Sequence, residues 1–165
     1  MNPAKKLLIA SGLALALWGM GYGLYYAVFI EHQTLDRIGS SLAGGFTFAA
    51  ERNMPAAQAA LDASAEASYA YVRQVDAHGH WIGLGMLLIL FGAAFHRVNF
   101  SEHTQLCLAW GLVLGAITFP LGVLLETASG GWFPKAVAVA GSALLIFALA
   151  GVALGFARPR SSSSF

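Results

Sequence analysis

The residues able to do chemistry gather beside the apolar stretches of the sequence. Glu31 and His32 follow the first stretch, Asp76, His78 and His80 lead into the second, and Glu126 closes the third. Imidazole nitrogens are ordinary ligands of haem iron, and imidazole nitrogens and carboxylate oxygens of divalent metals. His78, His80 and Glu126 are therefore candidate metal ligands, and His78, His80, Asp76 and Glu126 candidate cofactor-binding residues for a haem b or a divalent ion. On a helix His78 and His80 lie about 200° apart, so only one of them can face a bundle interior. His78 shares a face with Gly85, Gly92 and His96, whereas His80 lies one turn beyond Asp76. That spacing predicts that Asp76 accepts the second imidazole proton of His80, which would orient a ligating ring. Glu126 follows Gly122 by four residues and is expected to point inward, where a carboxylate near the membrane is costly unless paired or functional.

Other reactive side chains carry less. His96, Glu102 and His103 flank a short basic turn, a natural place for groups that meet anionic lipid headgroups. Cys107 is the only cysteine, so the chain can form no intrachain disulfide, two-cysteine metal motif or dithiol redox pair. Met20 and Met86 are isolated, which disfavours copper. The third and fourth apolar stretches contain no histidine after His103, so full coordination of two stacked haems from this chain alone is difficult. A single haem with one protein ligand, a haem shared with another subunit, and an outer-side metal site stay open. There is no nucleophile beside a general base, no phosphate-binding loop and no dinucleotide fingerprint, so an independent enzyme is not expected.

These residues must be positioned by membrane helices. Of the 165 residues 58% are hydrophobic and 10% charged, against about a quarter charged in a soluble domain. Four apolar runs, Leu7 to Ile30, His80 to Phe95, Leu106 to Leu125 and Ala136 to Phe156, are each long enough to cross or nearly cross a bilayer. The expected fold is an all-α membrane protein with four transmembrane helices in an antiparallel bundle, a single domain over 1–157, followed by a disordered cytoplasmic tail over 158–165. An N-terminus inside places Lys5, Lys6, Arg97, Arg158 and Arg160 in the cytoplasm and leaves Lys135 as the cation close to a span on the other side. The positive-inside rule selects this orientation, with both termini cytoplasmic in a bacterial-type inner membrane. A net charge of +1 with scattered cations excludes a large basic surface for nucleic acid. The lipid bilayer is the one partner implied, with a membrane-protein partner or a homo-oligomer open.

Small residues form stripes in two runs: Gly12, Ala16, Gly19 and Gly23 in the first, and Gly111, Gly115, Thr118 and Gly122 in the third. Such stripes let helix backbones approach closely in lipid, or make room for a flat cofactor. Pro120 is expected to kink the third run. The outer segment, about 31–77, has helical periodicity after Pro55: Leu61, Ala65, Ser68, Val72 and Val75 fall on one side, and Asp62, Glu66, Tyr69, Arg73 and Asp76 on another. A helix starting near Pro55 and running on into the second span would project outward, with Gly79 as its weak point. Gly39, Gly44 and Gly45 are expected to hold the turn that brings the chain back.

The stretch His78-Gly79-His80-Trp81-Ile82-Gly83-Leu84-Gly85 resembles the HAHxxxxG signature of small multi-span proteins related to the catalytic subunit of haem–copper oxidases, with glycine in place of the alanine. The resemblance runs from the second span to the fourth, roughly half the chain. Only His78 and His80 match the ligands of that motif. The resemblance thus implies a haem-associated membrane module and not an oxygen reductase. Three functions follow as expectations: a haem- or metal-binding accessory module linked to electron transfer, a structural or assembly subunit without cofactor, and a small proton-linked transporter or sensor.

Overall fold

The computed structural model of the chain describes residues 2–129 and 131–159. It comprises five helices: α1 (Pro3–Phe29), α2 (Glu31–Ala50), α3 (Met54–Ala94), α4 (Glu102–Leu125) and α5 (Trp132–Ala157), with a short 3₁₀ turn at Phe95–Arg97 extending α3. No strand occurs among the described residues. Helices α1, α3, α4 and α5 are long and apolar enough to cross a membrane, as the sequence predicts. Polar side chains mark where helices begin: Asn2 accepts the Ala4 N–H at 2.9 Å, Asn53 the Ala56 N–H at 3.3 Å and Ser101 the Thr104 N–H at 3.3 Å. Each satisfies a donor that the first turn leaves unpaired.

Helix α3 has 41 residues, which at 1.5 Å per residue is roughly 60 Å, about twice the hydrocarbon thickness. It runs unbroken through Gly79, so its second half lies in the bundle and its first half extends beyond. Helix α2 follows α1 after Ile30 and runs outward along this extension, from Glu31 beside Tyr71 to Gly45 beside Ala57, making a two-helix head on a four-helix bundle. The reversal between them is not at Gly39, Gly44 or Gly45, as the sequence reading expected. All three lie inside α2, and the chain turns at Glu51–Asn53, where Arg52 takes a left-handed φ of 60°. Gly45 is tolerated in a helix because it is buried against Leu61 and Ala57 of α3, where a side chain would hold the helices apart.

In the bundle α1 packs chiefly on α3 and α4 on α5, with α4 also touching α3 and α1. The small-residue stripes make these seams. A Cβ on Gly12 would lie 2.6 Å from the Gly85 carbonyl oxygen, one on Gly115 would lie 2.9 Å from the Gly141 carbonyl oxygen, and one on Gly122 would strike the Ala138 backbone. The space a flat cofactor would need beside these glycines is filled by the neighbouring backbone. Leu8, Trp81, Leu88, Phe95, Leu112 and Val152 fill the core between the pairs. Helix α4 continues through Pro120.

At the end that carries the chain termini, buried Gln105 donates to the carbonyls of Val98 (2.8 Å) and Phe100 (3.1 Å), and the Asn99 N–H bonds the Gly155 carbonyl at 2.9 Å. Helix α5 ends at Ala157; of the expected tail, residues 160–165 lie outside the described residues.

Candidate functional site at the base of the head

Helix α3 carries Tyr69, Arg73, Asp76 and His80 at intervals of four, three and four, which places them on one stripe. This stripe meets the end of α4. Glu126 follows the last residue of α4, its N–H still bonded to Gly122, and its side chain is 12% exposed. The Tyr69 hydroxyl donates to Glu126 Oε2 at 2.8 Å, and an Arg73 guanidinium nitrogen lies 3.4 Å from the same oxygen. The Arg73 charge also sits over the Tyr69 ring, 5.0 Å from its centroid, a cation–π arrangement. The Tyr69 hydroxyl first, and then the Glu126 and Asp76 carboxylates, hold the Arg73 pKa above its ordinary value against the opposing effect of burial. The inward carboxylate expected from the sequence is therefore present, and it is paired.

A second bridge crosses from α1 to α4. The Tyr22 hydroxyl donates to Gln74 Oε1, Gln74 Nε2 donates to Thr127 Oγ1 at 3.2 Å, and Thr127 donates onward to the Leu124 carbonyl at 2.8 Å. A third contact ties α2 to α3: the Tyr71 hydroxyl donates to Glu31 Oε1 at 2.9 Å. Tyr71 lies in the extension of α3 outside the bundle, and this bond to a carboxylate raises its phenol pKa. Side chains from α1, α2, α3 and the end of α4 thus join where head meets bundle.

The histidines diverge, as their angular separation requires. His78 faces α1, with its ring against Gly23 and its Nδ1 3.3 Å from the Gln74 carbonyl. His80 faces α4, where its ring lies 4.9 Å from Phe119 and remains exposed. Asp76 makes no hydrogen bond to His80 among the described residues; it contributes instead to the field around Arg73. His32 and Asp36 form a 3.3 Å pair on α2 with both side chains largely exposed, an arrangement of little energetic weight. At the other end of the bundle His103 Nε2 approaches the Cys107 sulfur at 3.7 Å. Among the described residues, no three His, Cys, Asp or Glu side chains converge in an arrangement able to hold a metal ion.

A haem ligated by both His78 and His80 does not fit this geometry. Gly23 of α1 backs the His78 ring, and the two rings point to different helices. His80 alone presents an exposed ring that could serve as a single axial ligand. Glu126 is engaged by Tyr69 and Arg73, and Asp76 adds to the field around Arg73. No protein-family model matches the chain, and no curated protein or solved structure matches it.

Sequence reasoning placed Glu126 at a site but did not anticipate its partners. Tyr69, Arg73 and Asp76 were legible as a polar stripe. The sequence also shows this stripe continuing in register to His80 inside the span; that the stripe faces α4 is what only the assembled helices show. Gln74, Tyr22 and Thr127 gave no sequence signal, because each is an ordinary interfacial residue until the helices are assembled.

Proposed function

We propose that the protein is a non-catalytic, multi-pass subunit of a bacterial-type inner membrane, whose work is to hold a stiff two-helix head at a fixed height and angle above the bilayer. The observation that carries this reading is the unbroken passage of α3 from the bundle into the head, braced at its base by Tyr69, Arg73 and Glu126 and by the Tyr22–Gln74–Thr127 bridge. A head meant to move would have a hinge there. Instead the ionisable residues at this level are used in joining helices. Lys5, Lys6, Arg97 and Arg158 all belong to the opposite end, so the positive-inside rule puts the head on the periplasmic side and both termini in the cytoplasm.

The test is the composition of the protein isolated from its own membrane in mild detergent. An assembly containing other membrane polypeptides, without a Soret band or stoichiometric metal, is expected. A chain found without other subunits, or one carrying stoichiometric haem, would overturn the reading.

A second reading is favoured by one observation. His80 is exposed beside the Phe119 ring, where it could supply one ligand to a haem whose other ligand comes from a neighbouring subunit. The same absorption spectrum separates the two, and His80→Ala should then abolish the Soret band while leaving helix content intact.

A further inference from the structure

The seam between α2 and α3 in the head is made of small side chains. Its buried residues are Gly45, Ala57, Ser64 and Ala67, and Ser64 reaches across to the Ile38 carbonyl at 3.2 Å. Leu61 packs over Gly45 at this seam while staying 41% exposed. The other large apolar side chains lie elsewhere: Leu35, Leu42 and Phe46 on α2 are 46%, 42% and 68% exposed, and Val72 and Val75 on α3 are 52% and 36% exposed. Two helices alone do not make a water-soluble core from such a seam, since helix stability in water comes mostly from burying an apolar face.

The exposed residues form one surface. On α2 the less exposed positions are Thr34, Ile38, Ser41 and Gly45, and the stripe Leu35, Gly39, Leu42, Phe46 follows each of them by one residue. On α3 the positions turned towards α2 include Ser64, Ala67 and Tyr71, and Ala65, Ser68 and Val72 again follow by one. One residue is a turn of about 100° in a right-handed helix. Because α2 and α3 run in opposite directions, that same step carries both stripes to the same flank of the hairpin. Spacings of four and three along each stripe are those of a helix-bundle core. Ser68, the one hydroxyl on it, is already bonded to the Ser64 carbonyl at 2.8 Å.

We infer that this flank is the dimerisation face of the protein, and that two heads close on each other as a four-helix bundle. The inference rests on the reading of the head as a rigid projection and names its first partner. Lipid is not the occupant, because the continuous α3 carries the face away from the bilayer along its own axis. Two copies inserted the same way round are related by a two-fold axis along the membrane normal. That axis sets α2 of each copy on α3 of the other, so every neighbouring pair in the four-helix bundle is antiparallel. Helices of about 20 residues set 8–10 Å apart give a face of roughly 30 by 20 Å, so two copies would bury on the order of 1,200 Å². That area is at the lower edge of stable interfaces, and confinement of both copies in one membrane raises their effective concentration.

The experiment uses the full chain with Cys107→Ser, carrying Leu42→Cys or, as the control on the outward side of the head, Asp62→Cys. A short bismaleimide applied to membranes should join the Leu42→Cys chains into a species of twice the 17.3 kDa chain mass, with at least tenfold less product at Asp62→Cys. Native mass measurement of the uncrosslinked protein should give two copies, and one copy for Leu42→Glu. Far-ultraviolet circular dichroism of that variant should retain the signal of the four spans. Equal crosslinking at both positions, a monomeric mass for the unmodified chain, or adducts of the Leu42→Cys chain solely with a different polypeptide would overturn the inference. The last result would leave the reading of the head as a subunit scaffold standing, whereas a homodimer free of other subunits would support the inference and contradict that reading.

Discussion

The bundle and the head are built from the same unit, an antiparallel helix pair with small residues at the seam, yet their exposed surfaces mean different things. In the bundle Leu17, Leu24, Ile146 and Phe147 are 63% to 75% exposed, and this costs nothing because lipid tails are as apolar as the side chains. In the head Phe46 on α2 is equally exposed, and in the proposed arrangement it stands beyond the bilayer, where an apolar patch needs cover. Close backbone contact therefore makes a complete structure in lipid and an incomplete one in water. What joins the two regimes is the polar layer between them, where Arg73 and Glu126 neutralise each other.

The contrast breaks most severely where backbone meets backbone. Gly122→Leu forces a side chain into the Ala138 backbone and should separate α4 from α5, at a cost of about 3 kcal/mol or more, read as a large fall in the thermal midpoint of the detergent-solubilised protein. If the midpoint does not move, the glycine seams are not what holds the bundle. An intermediate effect is expected in the joining layer. Glu126→Gln leaves the Tyr69 hydroxyl a neutral acceptor but strips Arg73 of its counter-charge, and the loss should be about 1–3 kcal/mol. Spin labels placed at the tip of the head and in α5 should then report a broader distance distribution than in the unaltered protein, with no change in helix content.

Within the head the effects are finer. Tyr71 has its pKa raised by the Glu31 carboxylate that accepts its hydrogen bond. The stabilisation linked to the phenol is therefore fully present as pH approaches the ordinary phenol value of about 10 from neutral and is lost as pH rises through the higher folded value. Ultraviolet titration of the phenolates should show this tyrosine ionising late, and Glu31→Gln should bring it back towards the ordinary range; an unchanged profile would mean the bond is not formed. The smallest effect is expected at Gly79, where an added Cβ meets nothing within 4 Å. Gly79→Ala should stabilise the protein by about 0.5–1 kcal/mol through helix propensity, the opposite sign to Gly122. A loss of stability there would show a contact or a bend at the middle of α3.

The spans and the continuous α3 were legible because apolar run length and helical periodicity are local properties, and because Pro55 fits a helix start. The position of the reversal was not. Three glycines in α2 resembled a turn, while the actual turn places Arg52, a residue without turn chemistry, at positive φ. Glycine at a helix seam and glycine in a loop are the same letter, and only the partner helix distinguishes them. At the site, the separation of His78 from His80 followed from helix geometry and stands in the structure. The partners of Glu126 did not follow, because Tyr69 and Arg73 are more than fifty residues away in sequence. The stripe Leu61, Ala65, Ser68, Val72 and Val75 was also readable as apolar. That Leu61 would pack over Gly45 in the α2 seam while Ala65 and Val72 lie beside it depends on how two helices of opposite direction settle together.

Four crossings with the head on one side and the 95–101 turn on the other can be tested directly by labelling from one side of the membrane. In intact cells, with Cys107→Ser as background, a membrane-impermeant maleimide should react with Arg52→Cys at the tip of the head and reach Glu102→Cys only after the cells are permeabilised. Labelling of both positions in intact cells, or of Glu102→Cys alone, would contradict the account.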